Sequence, residues 1–205
     1  MELLLAFALT SITIELTPGP NMAWLALLSA ERGRIAGLAA VAGVMLGLLL
    51  LGLAAGVGLG SLILENRWLY ETLRWAGVAF LAYLAWDTYR QSRLPLGLRG
   101  TDEKLGVFFR RGLITNLLNP KAALFYVTVL PNFIDAARPA MPQSITLTAI
   151  YVAVATAIHA AIALAGSLLQ PLFSTDRSRR LLGIVASVLL LLIAAWIALS
   201  TRRVG

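Results

Sequence analysis

Two short stretches hold nearly all the residues that could do chemistry inside an otherwise apolar chain. The first, Ile14-Glu15-Leu16-Thr17-Pro18-Gly19-Pro20-Asn21, sits within an apolar run from Leu3 to Leu28. The second is Asn116-Leu117-Leu118-Asn119-Pro120-Lys121. Proline has no N–H, and its ring collides with the carbonyl four residues back. Pro18 is therefore expected to free the carbonyl of Ile14, Pro20 that of Leu16 and Pro120 that of Asn116. Gly19 lets the backbone leave helical geometry cheaply. The stretches share a core, Leu16-Thr17-Pro18 against Leu118-Asn119-Pro120, and each carries one ionisable side chain, Glu15 or Lys121. Interrupted hydrophobic segments at matching places in two halves of a chain point to a transporter binding site.

The chemistry on offer is that of a zwitterion and a proton. An ionised carboxylate at bilayer depth costs about 3 kcal/mol on insertion scales, so Glu15 should face the bundle interior or water. There it is a proton carrier, a ligand for a substrate ammonium, or a structural partner for Lys121. Lys121 suits a substrate carboxylate equally with capping freed carbonyls or pairing with Glu15. Half-helices starting after Pro20 and Pro120 would aim N–H groups and a positive dipole end at a carboxylate. The carbonyls of Ile14, Leu16 and Asn116 would suit an ammonium. Asn21 and Asn116 either bind substrate or satisfy opened backbone groups, and Asn119 reads mainly as the latter. His159, alone on an apolar segment, reads first as an interhelical hydrogen bond and second as a proton relay. Asp87, near one helix end, is expected to pair with Arg90 at i+3.

The elements that must position these groups are membrane spans. The chain is 59% hydrophobic and 13% charged, with a mean hydropathy of +0.82, against about 25% charged in soluble domains. A length of 205 residues fits about six spans of roughly 20 residues each. The boundaries fall near 3–29, 35–64, 69–89, 112–133, 144–169 and 181–200. There is no Cys and only one His, which excludes disulfides and makes a conventional zinc site a poor fit; no cofactor is implied. The opening Met1-Glu2-Leu3 lacks a basic leader region, so the first run is read as a retained span. Gly43, Gly47, Gly52, Gly56 and Gly60 form a stripe on the second span where another backbone could approach closely; the stripe also suits a homo-oligomer contact. Trp68, Tyr70 and Trp75 at one end of the third span, and Tyr83, Trp86 and Tyr89 at the other, read as interfacial belts.

The net charge of +7 reads as membrane orientation, not nucleic-acid binding, because the basic residues lie between the apolar runs. The connections after the first, third and fifth spans hold eleven Lys and Arg, and the opposite side five, with Arg74 counted among the five. That asymmetry puts the odd connections in the cytoplasm and both termini outside. Residues 1–90 and 108–205 form two halves joined by a polar cytoplasmic linker, 91–107, with Pro95, Gly97 and Gly100. An odd number of spans per half turns the second half upside down, which gives an all-α polytopic fold of two inverted three-helix repeats, with helices 1 and 4 broken.

At these residues the chain resembles the LysE/RhtB family of bacterial amino-acid exporters. The resemblance rests on Thr17-Pro18-Gly19-Pro20-Asn21, Arg32-Gly33-Arg34 and the glycine-rich second span. It continues through Phe109-Arg110-Arg111-Gly112-Leu113, Asn116 to Lys121, and Leu130-Pro131-Asn132-Phe133, and more weakly through Gly77 to Trp86 and Arg180-Leu181-Leu182-Gly183. It implies a multi-pass protein of the bacterial inner membrane, among lipid, exporting amino acids or close analogues in exchange for protons. Asn21 stands where many members carry Asp, which argues against a cationic substrate if that Asp selects one.

The rival readings belong to other classes. A membrane enzyme would show clustered His or carboxylates on its helices, which this chain lacks. A passive channel needs no titratable switch, so dependence of flux on a gradient separates it from a transporter. A non-transporting assembly subunit would give no flux. The charge asymmetry yields the first prediction. Reporter fusions at either terminus should be active only on the periplasmic side, and a cytoplasmic terminus would overturn the orientation.

Overall fold

The computed structural model describes residues 2–17, 19–58, 66–93, 104–173 and 175–200. Pro18, Gly60, the end of the second span and the linker with Pro95, Gly97 and Gly100 lie outside the described residues. The fold is all-helical: α1 (Glu2–Leu16), α2 (Pro20–Arg32), α3 (Arg34–Gly56), α4 (Arg67–Ser92), α5 (Leu105–Leu117), α6 (Pro120–Leu124), α7 (Ala140–Ser167) and α8 (Asp176–Ser200). A π-helical turn, Phe125–Val129, and a 3₁₀ turn, Leu130–Phe133, continue α6.

Both expected breaks are present. α1 and α2 meet at 61°, and α5 and the helical run from Pro120 to Phe133 meet at 51°. Among the described residues, α3, α7 and α8 are long and apolar enough to cross a membrane alone, and each bent pair counted as one span raises the number to five. α4 falls short on composition. Its 26 residues reach about 39 Å at 1.5 Å per residue. It carries Arg67, Glu71, Arg74, Asp87 and Arg90, and aromatic residues dilute both ends.

Two of these charges correct the sequence reading. Arg74, counted with the outer cations, is 5% exposed inside α4. It pairs with Glu71 at 2.6 Å and donates a short hydrogen bond to the carbonyl of Ala198 on α8. Asp87 is bonded not to Arg90 but to Arg111 of α5 at 2.9 Å and to Gln91 at 2.7 Å. Helix α5 starts at Leu105, earlier than the expected start of the fourth span near 112, so Arg110 and Arg111 lie on a helix and the last residues of the 91–107 linker are helical too.

The core forms where small residues let backbones meet. α3 lies against α5 along the glycine stripe, and the approach is reciprocal. A methyl group on Gly43 would run into the carbonyl of Phe109, and one on Gly112 into the carbonyl of Ala40. Farther along, Gly47 faces Asn116, and Gly52 faces Thr148 of α7 and Tyr126. The stripe therefore seats α3 directly against the second break.

The same contacts predict a contrast. Gly43→Ala or Gly112→Ala should destabilise the protein by about 1–3 kcal/mol, the cost of overpacking. Gly56→Ala should stay within about 0.5 kcal/mol, since its methyl would meet Met141 and Ser144 at an ordinary 3.6 Å. Unfolding in detergent reads both, and equal effects would contradict the packing.

Candidate functional site

Each break is closed off locally before it is used. At the first, the Ile14 carbonyl accepts from the Thr17 N–H at 3.1 Å; at the second, the Asn116 carbonyl accepts from the Asn119 N–H at 3.0 Å. Tight turns thus absorb two carbonyls expected to stand open for a ligand. Asn119 caps α6, its Oδ1 accepting from the Lys121 backbone N–H at 3.0 Å. The carbonyl drawn into the site is that of Thr17, which accepts from Lys121 Nζ at 2.7 Å. Lys121 reaches it by passing over Gly19, where a Cβ would sit 3.4 Å from the lysine Cδ.

A second bond joins the breaks one step deeper. Asn21 Nδ2 donates to Asn116 Oδ1 at 2.8 Å. Both amides are buried, and Asn21 Oδ1 and Asn116 Nδ2 have no hydrogen-bond partner. One free acceptor and one free donor therefore stand side by side in the interior. Such groups cost about 1–3 kcal/mol each when left unpaired, which a visiting polar ligand or water would recover.

Glu15, at the end of α1, is 4% exposed. Its Oε1 accepts from Tyr151 Oη at 2.6 Å, and its Oε2 lies 3.5 Å from His159 Nε2, both on α7. Glu15 and Lys121 form no ion pair among the described residues, so of the readings of Glu15 a structural partnership with Lys121 is not the one adopted. They instead border one small cavity together with Gly19, Asn21, Asn116 and His159. Its volume is about 10 Å³, room for about one water. His159 Nδ1 is buried without a partner. Lys121 and Gly19 also wall a larger cavity on their other side.

Tyr151 is a site residue that sequence reasoning missed. It stands on the buried face of α7 with Thr148, Ala155 and His159, and that shared face was the available signal. An aromatic cluster fixes it. Phe125 stacks on its ring at 3.7 Å and Tyr126 meets it edge-on at 5.3 Å, while Phe7 packs against Phe125 and Phe133. Phe125 and Tyr126 open the π-helical turn, a distortion that recurs at functional sites. Among the described residues, no group of three or more His, Asp or Glu could hold a metal ion.

The arrangement offers paired donors and acceptors across two broken helices, beside one buried acid. Comparison with known proteins agrees with that chemistry. The LysE type translocator family matches residues 12–201. The chain is 32% identical over 143 residues to a homoserine/homoserine lactone efflux protein of Salmonella typhimurium, covering 69% of each chain. It is 35% identical over 131 residues to a leucine efflux protein of Salmonella choleraesuis, covering 63% of this chain and 62% of the relative. An uncharacterized membrane protein of Vibrio cholerae is 30% identical over 145 residues, 70% of each chain. No solved structure matches closely enough to count as a relative. With the family match running across nearly its whole length, and two bent helix pairs joined at their breaks, the chain belongs to the LysE type translocators, multi-pass membrane transporters and not enzymes.

Proposed function

We propose that this chain is a secondary exporter of amino acids or close analogues across the bacterial inner membrane, driven by protons moving the other way. The observation that carries the reading is the meeting of the breaks above a buried acid. Lys121 reaches Thr17, Asn21 reaches Asn116, and Glu15 lies beneath, bonded to Tyr151 and facing His159. A zwitterion needs donors for its carboxylate and acceptors for its ammonium. Lys121 and Asn116 supply the first, Thr17, Asn21 and Glu15 the second, and two relatives are a leucine efflux protein and a homoserine/homoserine lactone efflux protein.

The architecture we assign has six spans: the two bent pairs, α3, α4, α7 and α8, with both termini outside and two inverted halves, 1–90 and 108–205. Packing supports the repeat. Exchanging the first three spans with the last three maps the principal helix pairs onto one another. α3 against α5 becomes α7 against the first bent pair, and α4 against α8 returns to itself. In this frame α4 crosses with its charges near the ends or, in Arg74, bonded internally.

Coupling falls to Glu15. The cavity beside it is too small for an amino acid, so substrate reaches the acid only when the breaks move apart. Reopening toward the outside loads a proton on Glu15, with Tyr151 and His159 adjusting the hydrogen bonds around it. Reopening inward releases the proton and admits substrate. Glu15→Gln keeps the size of the side chain but cannot carry the proton. In proteoliposomes with an imposed pH gradient it should lose uphill amino-acid accumulation while retaining substrate exchange. Tyr151→Phe keeps the stack on Phe125 and removes one bond to the acid, worth about 1.5–3 kcal/mol, so pH-driven transport should fall by at least about tenfold. Uphill transport that survives in Glu15→Gln would remove Glu15 from the coupling role and leave His159 as the candidate.

A further inference from the structure

The larger cavity beside Lys121 has a definite shape and chemistry. It holds about 360 Å³, within the roughly 300–1,000 Å³ of small-molecule sites, whereas the acid-side cavity holds about 10 Å³. Its walls are Ile14, Leu124, Phe125, Val129 and Ile197, with Trp196 of α8 at its margin. The polar groups on its surface are few. Thr128 has its hydroxyl bonded back to the Leu124 carbonyl at 2.7 Å. Asn119 is spent capping α6, which leaves Lys121 Nζ and the Thr17 carbonyl, bonded to each other.

That bond is a donor and an acceptor satisfying one another at the mouth of an apolar chamber. A zwitterionic head group replaces it on both sides. The substrate carboxylate takes Lys121 Nζ, which has three donors to offer, and the released Thr17 carbonyl accepts from the substrate ammonium. A molecule lacking either charge leaves one of the two unpaired, at about 1–3 kcal/mol. Among the described residues no acidic side chain lines the chamber, and Lys121 is a cation at its mouth, so a side chain ending in an ammonium or guanidinium meets repulsion with no partner. An aliphatic or aromatic side chain meets walls of its own kind.

Resting on the exporter reading above, we propose that this cavity is the side-chain subsite, and that the substrates are zwitterionic amino acids with bulky uncharged side chains. Leucine, methionine and phenylalanine fit; lysine, arginine and homoserine lactone do not. A lipid tail is the rival occupant, but it has no use for the adjacent donor–acceptor pair.

The test is competition in exchange assays on full-length protein in proteoliposomes, with radiolabelled leucine and radiolabelled alanine as probes. Wild-type protein should exchange leucine in preference to alanine, with unlabelled phenylalanine competing and lysine and homoserine lactone failing to compete. Val129→Phe fills the chamber and should lower leucine exchange by about tenfold relative to alanine, the scale of discrimination a pocket gains from one or two carbon atoms. Leu124→Ala enlarges it and should shift preference toward phenylalanine; it supplies the answer if Val129→Phe does not fold. A leucine-to-alanine ratio unchanged in the folded variants overturns the subsite, as does competition by lysine equal to that by leucine. So does a ratio that follows the acyl-chain length of the vesicle lipid, the signature of a lipid-filled cavity. Absence of exchange for every amino acid in wild-type protein is a different result, and it would remove the exporter reading itself.

Discussion

Broken helices inside a membrane create a debt of hydrogen bonds that hydrocarbon cannot settle. Each unsatisfied backbone group there costs several kcal/mol, so irregular backbone survives at depth only where protein or a watery cavity supplies partners. In this chain the breaks supply one another. Lys121, one residue past Pro120, reaches across to the Thr17 carbonyl, and Asn116, just before the second break, takes a hydrogen bond from Asn21, just after the first. The packing around them holds those termini within hydrogen-bonding distance of one another.

Two kinds of packing do the holding. Along α3 the absence of side chains at Gly43, and at Gly112 on the partner helix, lets backbones touch, and so seats α3 directly against the second break. Around Glu15 the opposite device operates. Phe7, Phe125, Tyr126 and Tyr151 fill space with rings at stacked and edge-on angles, and pin one tyrosine hydroxyl against the carboxylate. The glycine side is tight and regular, while the aromatic side contains the π-helical turn. A helical distortion beside the acid is where movement costs least, because a π turn already departs from the regular ladder. The Asp87–Arg111 pair ties α4 to α5 away from the breaks, so rearrangement at the site need not loosen the whole bundle.

The parts of this account legible in the sequence were those governed by local chemistry. Proline and glycine announce a break wherever they stand, and the breaks at 17–19 and 118–119 are where the residues indicated. A repeated glycine spacing announces close packing, and Gly43 and Gly47 bear it out. The capping of α6 by Asn119 is local as well. What the sequence concealed is pairing between helices, because it depends on the rotation and depth of elements distant in the chain. Arg90 is the near neighbour of Asp87, yet Arg111 is its partner. Arg74 reads as a boundary cation until α8 brings the Ala198 carbonyl to it. Lys121 has Glu15 as the obvious opposite charge but reaches a backbone carbonyl. Tyr151 carried no signal beyond its position on the face shared with His159.

The central claim is that the two breaks enclose one substrate site that opens to each side of the membrane in turn. The chain has no cysteine, so a single thiol placed at Thr17, whose side chain is exposed at the break, reports its surroundings without background. The decisive measurement is labelling of Thr17→Cys in oriented vesicles by a membrane-impermeant maleimide, applied from either side, with and without substrate amino acid. The account predicts labelling from both sides, slowed by substrate and altered by an imposed pH gradient. A thiol reached from one side only, or reached equally fast whatever the substrate and gradient, would contradict a shared site with alternating access.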